Sequence, residues 1–324
     1  MARPSRPRRT EDWSSRPLVT NPTHRGRHRR TAQSQEPTRR PGQQEGGSSP
    51  PPSVTRAADD ARALGVPAFP TPEGLIEAAD AVVIVVPAAE HVRLARLVGA
   101  QKKPLLIEKP LARNATEGRE IIDAVERAMV AQTIRFDPLT VLLREHQTGL
   151  GRLRGFGLEQ RIEPRGLAWE NDVEVAGGGV LVQTGIHAID ALRFITGARV
   201  SVEHAAFASV LGGATEDQAW LRLRAGDVRG DLRTSKIGRG RRHRYTFFFD
   251  DGILESDYIA RTFDDGRTLR SVPAVPTVVR TLEAFARWVT EGGDCPVPLE
   301  EALDAVAIAD AAYRGRGPDS GSGH

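Results

Sequence analysis

The tripeptide Glu108-Lys109-Pro110 is the segment whose residue types and position best suit chemistry. It directly follows an apolar run at 105–107 that predicts a buried strand, and open α/β sheets bind ligands beyond the carboxyl ends of their strands. A lysine there can accept or donate a proton when burial or neighbouring cations lower its pKa. The chain has four lysines against 41 arginines, and arginine cannot deprotonate, so a lysine at this place is informative. The alternative is a solvated ion pair in a surface turn.

A second pattern is the glycine run at 177–179, followed by Gln183, His187 and Asp190. The glycines permit a close backbone approach and a sharp turn into a helix, on which Gln183 and His187 are one turn apart on the same face. One histidine, one glutamine and one aspartate are too few for a zinc or iron site, so no metal is predicted. His187 is either a chemical group or an ordinary hydrogen-bonded histidine, and the pattern leaves both open.

The elements that must position these residues alternate between helices and strands over residues 54–134. A β-branched run at 81–86 is typical of a parallel strand buried on both faces. Thr71 with Pro72, and Asn114 with Glu117, predict two helix starts. The other predicted elements are strands at 66–69, 104–107 and 130–133 and helices at 54–64, closed by Gly65, and at 90–99. This alternation predicts a doubly wound parallel sheet of the α/β class.

Residues 135–314 change to longer strands in which apolar and polar residues alternate. This pattern favours a second domain of the α+β type on an open, mainly antiparallel sheet. Two amphipathic helices are predicted to complete it. The predicted strands lie at 152–162, 200–210, 218–224 and 244–249, and the helices near 278–289 and 298–309.

The composition and the ends of the chain exclude several classes of protein. Residues 1–50 hold eleven arginines, four acidic residues and few apolar side chains, so 1–53 is predicted to be a disordered Arg/Pro-rich tail, with a second tail at 315–324. The net charge of +3 thus comes from the tail, and nucleic acid is not the expected partner. A single cysteine, Cys295, excludes a disulfide framework. No apolar run reaches the roughly 18 residues of a membrane span, so a cytoplasmic protein is expected.

Several of these segments together resemble the Gfo/Idh/MocA oxidoreductases. The resemblance covers about residues 56–314 and rests on 82–91, the Glu-Lys-Pro turn, 135–138, the glycine-to-aspartate stretch 177–190 and the closing helices. It implies an N-terminal Rossmann domain that binds NAD or NADP and a C-terminal substrate domain whose open sheet forms homodimers or homotetramers. It also implies hydride transfer between nicotinamide and a hydroxyl or ketone of a polyol or sugar-like substrate.

The resemblance also assigns roles to residues of this sequence. It implies that Lys109 is the catalytic lysine, that His187 holds or protonates the reacting oxygen, and that Gln183 belongs to the same catalytic group. The residues implied to border the nicotinamide end of the cofactor are Pro87, His91, Glu108 and Lys109, and those implied to bind substrate are Arg135 and Asp190.

Two features depart from the family pattern. Gln183 stands where the family usually has an aspartate, and an amide can hydrogen-bond but cannot ionise, so a weaker proton relay is expected. Residues 1–53 contain no strand followed by G-x-G-x-x-G, the turn whose amides receive the pyrophosphate, so an incomplete Rossmann domain is expected, with NAD(P) binding weakened or lost. The strand at 81–86 is then expected to expose an apolar edge. We interpret this start as truncated or altered, as a shifted reading frame or wrong start would give.

Two hypotheses about function follow from these observations. The first is an NAD(P)-dependent oxidoreductase that acts on a sugar-like hydroxyl or ketone. The second is a catalytically impaired or inactive truncated homologue that serves as a sugar-binding or subunit-interaction module. Binding of a nicotinamide cofactor separates the two.

Overall fold

The computed structural model describes residue 59 and residues 61–164 and 168–315. The predicted tails at 1–53 and 315–324 lie outside the described residues, except for Gly315, which follows the last helix. Of the helix predicted at 54–64, residues 59 and 61–64 are described and are helical, and Gly65 follows them with a φ of 70°.

A three-stranded parallel sheet forms the first part of the protein. Its strands, in sheet order, are β1 (Val82–Ile84), β2 (Leu105–Ile107) and β3 (Ala128–Val130). Every residue of β2 and β3 is buried, as uninterrupted apolar runs predict. The parallel α/β arrangement is therefore confirmed. The strand predicted at 66–69 is wrong: β1 pairs only with β2 among the described residues, and 66–69 have no strand to pair with.

The helices around this sheet begin where their capping residues predict. Thr71 Oγ1 accepts a hydrogen bond from the Gly74 amide at 3.2 Å, and Pro72 is the first helical residue. Asn114 Oδ1 accepts from the Glu117 amide at 3.0 Å. Both predicted helix starts are thus confirmed. The helices of this part are Pro72–Ala78, His91–Ala100 and Ala115–Ala124.

An eight-stranded mixed sheet forms the second part. Its strands are β4 (Leu153–Arg161), β5 (Val200–Ala208), β6 (Gln218–Ala225), β7 (Val228–Ser235), β8 (Arg242–Phe249), β9 (Ile253–Asp257), β10 (Thr262–Asp264) and β11 (Leu269–Ser271). The order in the sheet is β11-β10-β9-β8-β4-β7-β6-β5. Only β4 and β7 run parallel, so the prediction of a mainly antiparallel sheet is confirmed.

Strand β7 is absent from the sequence-based prediction, although it lies near the centre of the sheet. Its inward positions are Gly230, Leu232 and Thr234, so only one large apolar side chain marks the buried face. Gly230 is required because a Cβ there would lie 2.4 Å from the Phe156 carbonyl oxygen of β4. Close packing between neighbouring strands has therefore removed the hydrophobic alternation that would identify this strand.

One continuous apolar core joins the two sheets. The last helix packs against Ala115–Ala124, β3 and β5, so it contacts both parts of the protein. This shared core holds the end of β2 opposite a π-helical turn at Leu181–Gly185. The helices of the second part are Pro138–Glu145, Val173–Ala176, Ile186–Thr196, Thr277–Glu291 and Leu299–Arg314.

The helical stretch Val173–Thr196 is long and apolar enough to pass a length-and-hydropathy test for a membrane span, with a mean hydropathy of 1.2. In the folded chain, 83% of its most apolar window is buried inside the protein. A central helix of a globular core passes the same test. We therefore interpret this stretch as a core element of the second part.

Candidate active site

The Glu108-Lys109-Pro110 turn follows β2 directly, as predicted, and the Lys109–Pro110 peptide bond is cis. The Glu108 amide donates to the Ile84 carbonyl at 3.0 Å, which extends the parallel ladder into the turn. Lys109 Nζ reaches the second part of the protein and donates to the main-chain carbonyl of Gln183 at 2.8 Å. The lysine that the sequence singles out thus bridges the two parts at the carboxyl end of the parallel sheet.

His91 has a different role from the predicted contact with a cofactor. Its side chain is 1% exposed, with Nδ1 3.0 Å from the Leu111 carbonyl oxygen and Nε2 3.0 Å from the Val86 carbonyl oxygen. Burial lowers the pKa of His91, and the two carbonyl groups oppose that shift. The ring therefore braces the end of β1 against the Glu-Lys-Pro turn. Pro87 is only partly buried, and its contact with a cofactor stays a prediction.

The glycine run at 177–179 makes the sharp turn into a helix that the sequence predicts. Gly177 has a φ of 76°, and a Cβ on Gly179 would lie 2.1 Å from the Glu216 carbonyl oxygen, so a side chain does not fit. The Glu216 carboxylate accepts hydrogen bonds from the amides of Gly179 and Leu181, both at 3.0 Å. The protein's own carboxylate thus satisfies helix-start donors that would otherwise need a partner.

Gln183 lies in the π-helical turn and uses both its backbone and its side chain. Its Nε2 donates to the Glu170 carbonyl at 2.9 Å, and its Oε1 accepts from Lys236 Nζ at 3.2 Å. A carboxylate could accept from Lys236 but could not donate to the Glu170 carbonyl, so the amide matches both neighbours. Single π-helical turns of this kind are frequent at functional sites.

His187 lies one turn after Gln183 and faces the same cavity as Lys109. Its Nδ1 is buried and has no hydrogen-bond partner among the described residues. Burial, and then the nearby charges of Lys109 and His243, hold the pKa of His187 well below its usual value. A neutral imidazole with an unsatisfied buried nitrogen is suited to hydrogen-bonding a hydroxyl or carbonyl oxygen of a ligand.

The cavity between the two parts has a volume of about 650 Å³, within the size range of small-molecule sites. Among the side chains that the sequence-based prediction missed, Gln160 and His243 line its second-domain wall, and Lys236 lies behind Gln183. Gln160 Nε2 donates to the Tyr245 hydroxyl at 2.8 Å, which fixes the amide. The low number of lysines was a usable signal for Lys236, whereas nothing in the local sequence distinguishes Gln160 or His243.

Acidification is expected to destabilise the fold through the two cavity histidines. Burial and then the charge of Arg241 lower the pKa of His243 to about 3, and the pKa of His187 is also lowered. Histidines of an unfolded chain titrate near pH ~6.5, so below that pH the unfolded state binds more protons than the folded state. Stability that is fully present above about pH 6.5 is therefore lost as the pH falls, by up to about 1.4 kcal/mol per pH unit for each histidine.

Urea unfolding followed by circular dichroism between about pH 6.5 and pH 5 measures this slope, above the range where carboxylates dominate. His243→Gln should make the free energy of unfolding less dependent on pH, whatever its effect on the absolute value. His204→Gln, on an exposed position of β5, is the matched control and should keep the wild-type slope. Equal slopes for the two variants would contradict the assignment.

Arg135 and Asp190 form an internal ion pair, which corrects the prediction that they bind substrate. Their side chains are 4% and 0% exposed, and the guanidinium donates to the two carboxylate oxygens at 2.8 and 2.6 Å. Glu301 accepts a third hydrogen bond from Arg135 at 2.5 Å. Burial acts to lower the pKa of Arg135, but these carboxylates raise it. Neither residue lines the cavity, so both are structural.

The structure thus has a parallel sheet with Lys109 at the end of a strand, and a second part, built on a mixed sheet, in which a helix places His187 on the same cavity. The comparisons with known proteins agree with this arrangement. Residues 50–136 match the family model described as "Oxidoreductase family, NAD-binding Rossmann fold", which defines the class of the protein. Residues 148–255 match the "GFO/IDH/MocA C-terminal domain". The chain belongs to the Gfo/Idh/MocA family of oxidoreductases.

Two of the similar proteins are named as dehydrogenases. The chain is 29% identical over 234 residues to UDP-N-acetylglucosamine 3-dehydrogenase of Acidithiobacillus ferrooxidans, covering 70% of this chain and 71% of that protein. It is 30% identical over 160 residues to rhizopine catabolism protein MocA of Rhizobium meliloti, covering 46% of this chain and half, 50%, of that protein. Among solved structures, levoglucosan dehydrogenase in complex with NADH and L-sorbose has a TM-score of 0.73 at 20% identity, covering 80% of this chain and 84% of that one.

Proposed function

We propose that this chain is an NAD(P)-dependent oxidoreductase that transfers a hydride between nicotinamide and a hydroxyl or ketone carbon of a sugar-like substrate. The observation that carries the proposal is that Lys109, in the turn after β2, and His187, on the helix Ile186–Thr196, face one cavity and are close enough for the lysine charge to lower the histidine pKa. The relatives named as sugar dehydrogenases support the same class of substrate.

The described residues suit the nicotinamide end of such a cofactor. The cavity lies beyond the carboxyl end of β2, where open α/β sheets bind their ligands, and the buried Nδ1 of His187 has no partner among the described side chains. Pro87, Glu108 and Lys109 would hold the nicotinamide end. When bound, NAD(P) accepts or supplies the hydride.

Lys109 and His187 both act on the reacting oxygen, the first by proton transfer and the second by a hydrogen bond. In the reduction direction, the charged Lys109 Nζ donates a proton to the ketone oxygen as the carbon receives hydride, and in the oxidation direction the neutral Nζ accepts the hydroxyl proton as the carbinol carbon loses hydride. His187, held neutral, hydrogen-bonds the same oxygen and fixes its position relative to the lysine. Gln183 positions Lys109 through its main-chain carbonyl, and this hydrogen bond is the same whether the side chain is an amide or the family's carboxylate.

Titration of the purified protein with NADH and with NADPH, followed by nicotinamide fluorescence, tests the proposal. We expect saturable binding of at least one of the two. A folded circular-dichroism spectrum without binding of either would contradict the oxidoreductase and favour the binding or subunit-interaction module. The affinity also tests the expectation that cofactor binding is weakened.

Three further expectations belong to this proposal. Residues 54–134 act as the cofactor domain and 135–314 as the substrate domain, an arrangement that the two separate sheets support. The open face of the eight-stranded sheet forms a homodimer or homotetramer, for which the exposed Trp220 and Phe248 offer apolar contacts. The protein works in the cytoplasm, where its lone Cys295 stays reduced.

A further inference from the structure

The second-domain wall of the cavity is strongly cationic. Arg161, Arg241 and Arg242 line it, Lys109 faces it from the first part of the protein, and Glu163 is the one carboxylate on the lining formed by the described residues. Both histidines of the lining, His187 and His243, have lowered pKa values, and they stay neutral near pH 7. The cavity therefore keeps an excess of positive charge over the neutral pH range.

Arg161 ends β4 and Arg242 begins β8, and the loop 236–241, which carries Arg241, crosses over the end of β4 to join β7 to β8. Gly240, in this loop, has a φ of 83° and is held from both sides by the residues that end β4. Arg161 Nε donates to the Gly240 carbonyl at 3.0 Å, and Glu163 Oε1 accepts from the Gly240 amide at 2.8 Å. Glu163 thus helps to fix the loop at Gly240, and Arg241 is the next residue along the chain. A loop held in this way loses little conformational entropy when it binds a ligand.

The arginines of the wall differ in how far they are neutralised. Arg242 Nη1 lies 3.3 Å from Glu159 Oε2 and so has a carboxylate partner. Arg161 uses Nε on the loop, which leaves both of its terminal nitrogens without a partner within the described part of the chain. Arg241 is exposed and has no ion pair with any described residue. Two guanidinium forks with free donors on one cavity wall match the two-point geometry of a carboxylate or a phosphate.

A buried lysine adds positive charge behind the lining. Lys236 is 6% exposed and donates to Gln183 Oε1 at 3.2 Å, and no carboxylate of the described residues lies within 4.0 Å of its Nζ. Glu170 and Asp217 are buried acidic residues whose main-chain carbonyls accept from the Gln183 side chain and from the Lys236 amide. Neither carboxylate lines the cavity, so the charge that a ligand meets is that of the arginines.

From this wall we propose that Arg241 and Arg161 form an anion subsite, and that the sugar-like substrate carries a carboxylate or phosphate which these two arginines bind while the reacting hydroxyl lies at Lys109. The placement of the substrate's reacting hydroxyl at Lys109 rests on the proposed function. The anion subsite itself is a property of the cavity and can be measured without turnover.

Isothermal titration calorimetry at constant ionic strength tests the subsite with three probes: D-glucose, D-glucuronate and D-glucose 1-phosphate. We expect the wild-type protein to bind at least one of the anionic sugars about tenfold to a hundredfold more tightly than glucose, as one two-point guanidinium contact provides. A preference for glucuronate identifies a sugar acid, and a preference for glucose 1-phosphate identifies a phosphorylated sugar. Equal affinities for all three, or no binding of either anion, overturn the proposal.

Arg241→Gln and Arg239→Gln form a matched pair of variants. Both arginines are exposed and lie two residues apart in the same loop, but only Arg241 lines the cavity. Arg241→Gln should reduce the preference for the anionic sugar about tenfold, whereas Arg239→Gln should keep the wild-type preference. Equal losses in both variants would show a diffuse effect of net charge and overturn the subsite.

The outcomes separate this proposal from the proposed function. Binding of NADH or NADPH without any preference for anionic sugars leaves the oxidoreductase in place and rejects the subsite. If the protein prefers anionic sugars through Arg241 but binds neither NADH nor NADPH, the subsite stands and the oxidoreductase is rejected.

Discussion

Lys109→Met is expected to lower kcat by about 10²–10⁴, the usual contribution of a positioned proton-transfer group. The substitution removes the amine that we propose accepts or donates the hydroxyl proton, and it keeps a side chain of similar length. It also removes the hydrogen bond to the Gln183 carbonyl, a loss that lowers the free energy of unfolding by about 1 kcal/mol. Steady-state oxidation of the best sugar substrate, with circular dichroism as a check on folding, measures both quantities.

Two further variants make this result specific. Lys109→Arg keeps the positive charge but cannot release a proton, so it should be nearly as slow as Lys109→Met. Lys103→Met, just before the start of the same β2 strand, should turn over like the wild type, because this lysine lies at the opposite end of the strand from the cavity. Unchanged turnover in Lys109→Met would remove the lysine from the mechanism.

Asp190→Ala is expected to lower the free energy of unfolding by about 3–5 kcal/mol, because it leaves the Arg135 guanidinium buried without its main partner. Glu301 is more exposed and compensates only part of this loss. Such a change is a large fraction of the total stability of a typical domain, about 5–15 kcal/mol. Urea unfolding of the purified variant measures it, and the midpoint should shift strongly while the slope stays close to that of the wild type.

Asp304→Ala is the matched control for this experiment. Asp304 also pairs with an arginine, Arg193, at 3.1 Å, but its side chain is 53% exposed. Exposed ion pairs contribute about 0–1 kcal/mol, so this variant should unfold close to the wild-type midpoint. A small effect for Asp190→Ala, no larger than that of Asp304→Ala, would show that the buried Arg135–Asp190 pair does not stabilise the fold as expected.

The parts of the fold that the sequence predicts are those in which local chemistry and burial agree. The apolar runs of β1 and β2 mark buried parallel strands, and the caps at Thr71 and Asn114 mark helix starts. The strand β7 could not be predicted, because Gly230 and Thr234 replace large apolar residues where neighbouring strands pack closely. The need for a glycine in β7 comes from its contact with the neighbouring strand β4, which the sequence of β7 alone does not reveal.

The candidate site is predictable only where one segment contains the whole pattern. Lys109 follows a strand, and His187 follows a glycine turn, so each can be singled out from its own surroundings. His243 and Gln160 reach the cavity through the order of strands in the mixed sheet, which the sequence does not disclose. Arg135 and Asp190 show the opposite error: charged residues near site segments are not site residues when they satisfy each other in the core.

The contact between Lys109 and the main chain of residue 183 has a consequence for protein engineering. Since every amino acid carries a carbonyl oxygen, a saturation library at position 183 would vary the polarity of the cavity without removing the acceptor that anchors the lysine. The variants would differ in what they offer to Lys236 and to the Glu170 carbonyl, the two neighbours of the present side chain. Position 183 is therefore a place where the polarity of the cavity can change while Lys109 stays where it is.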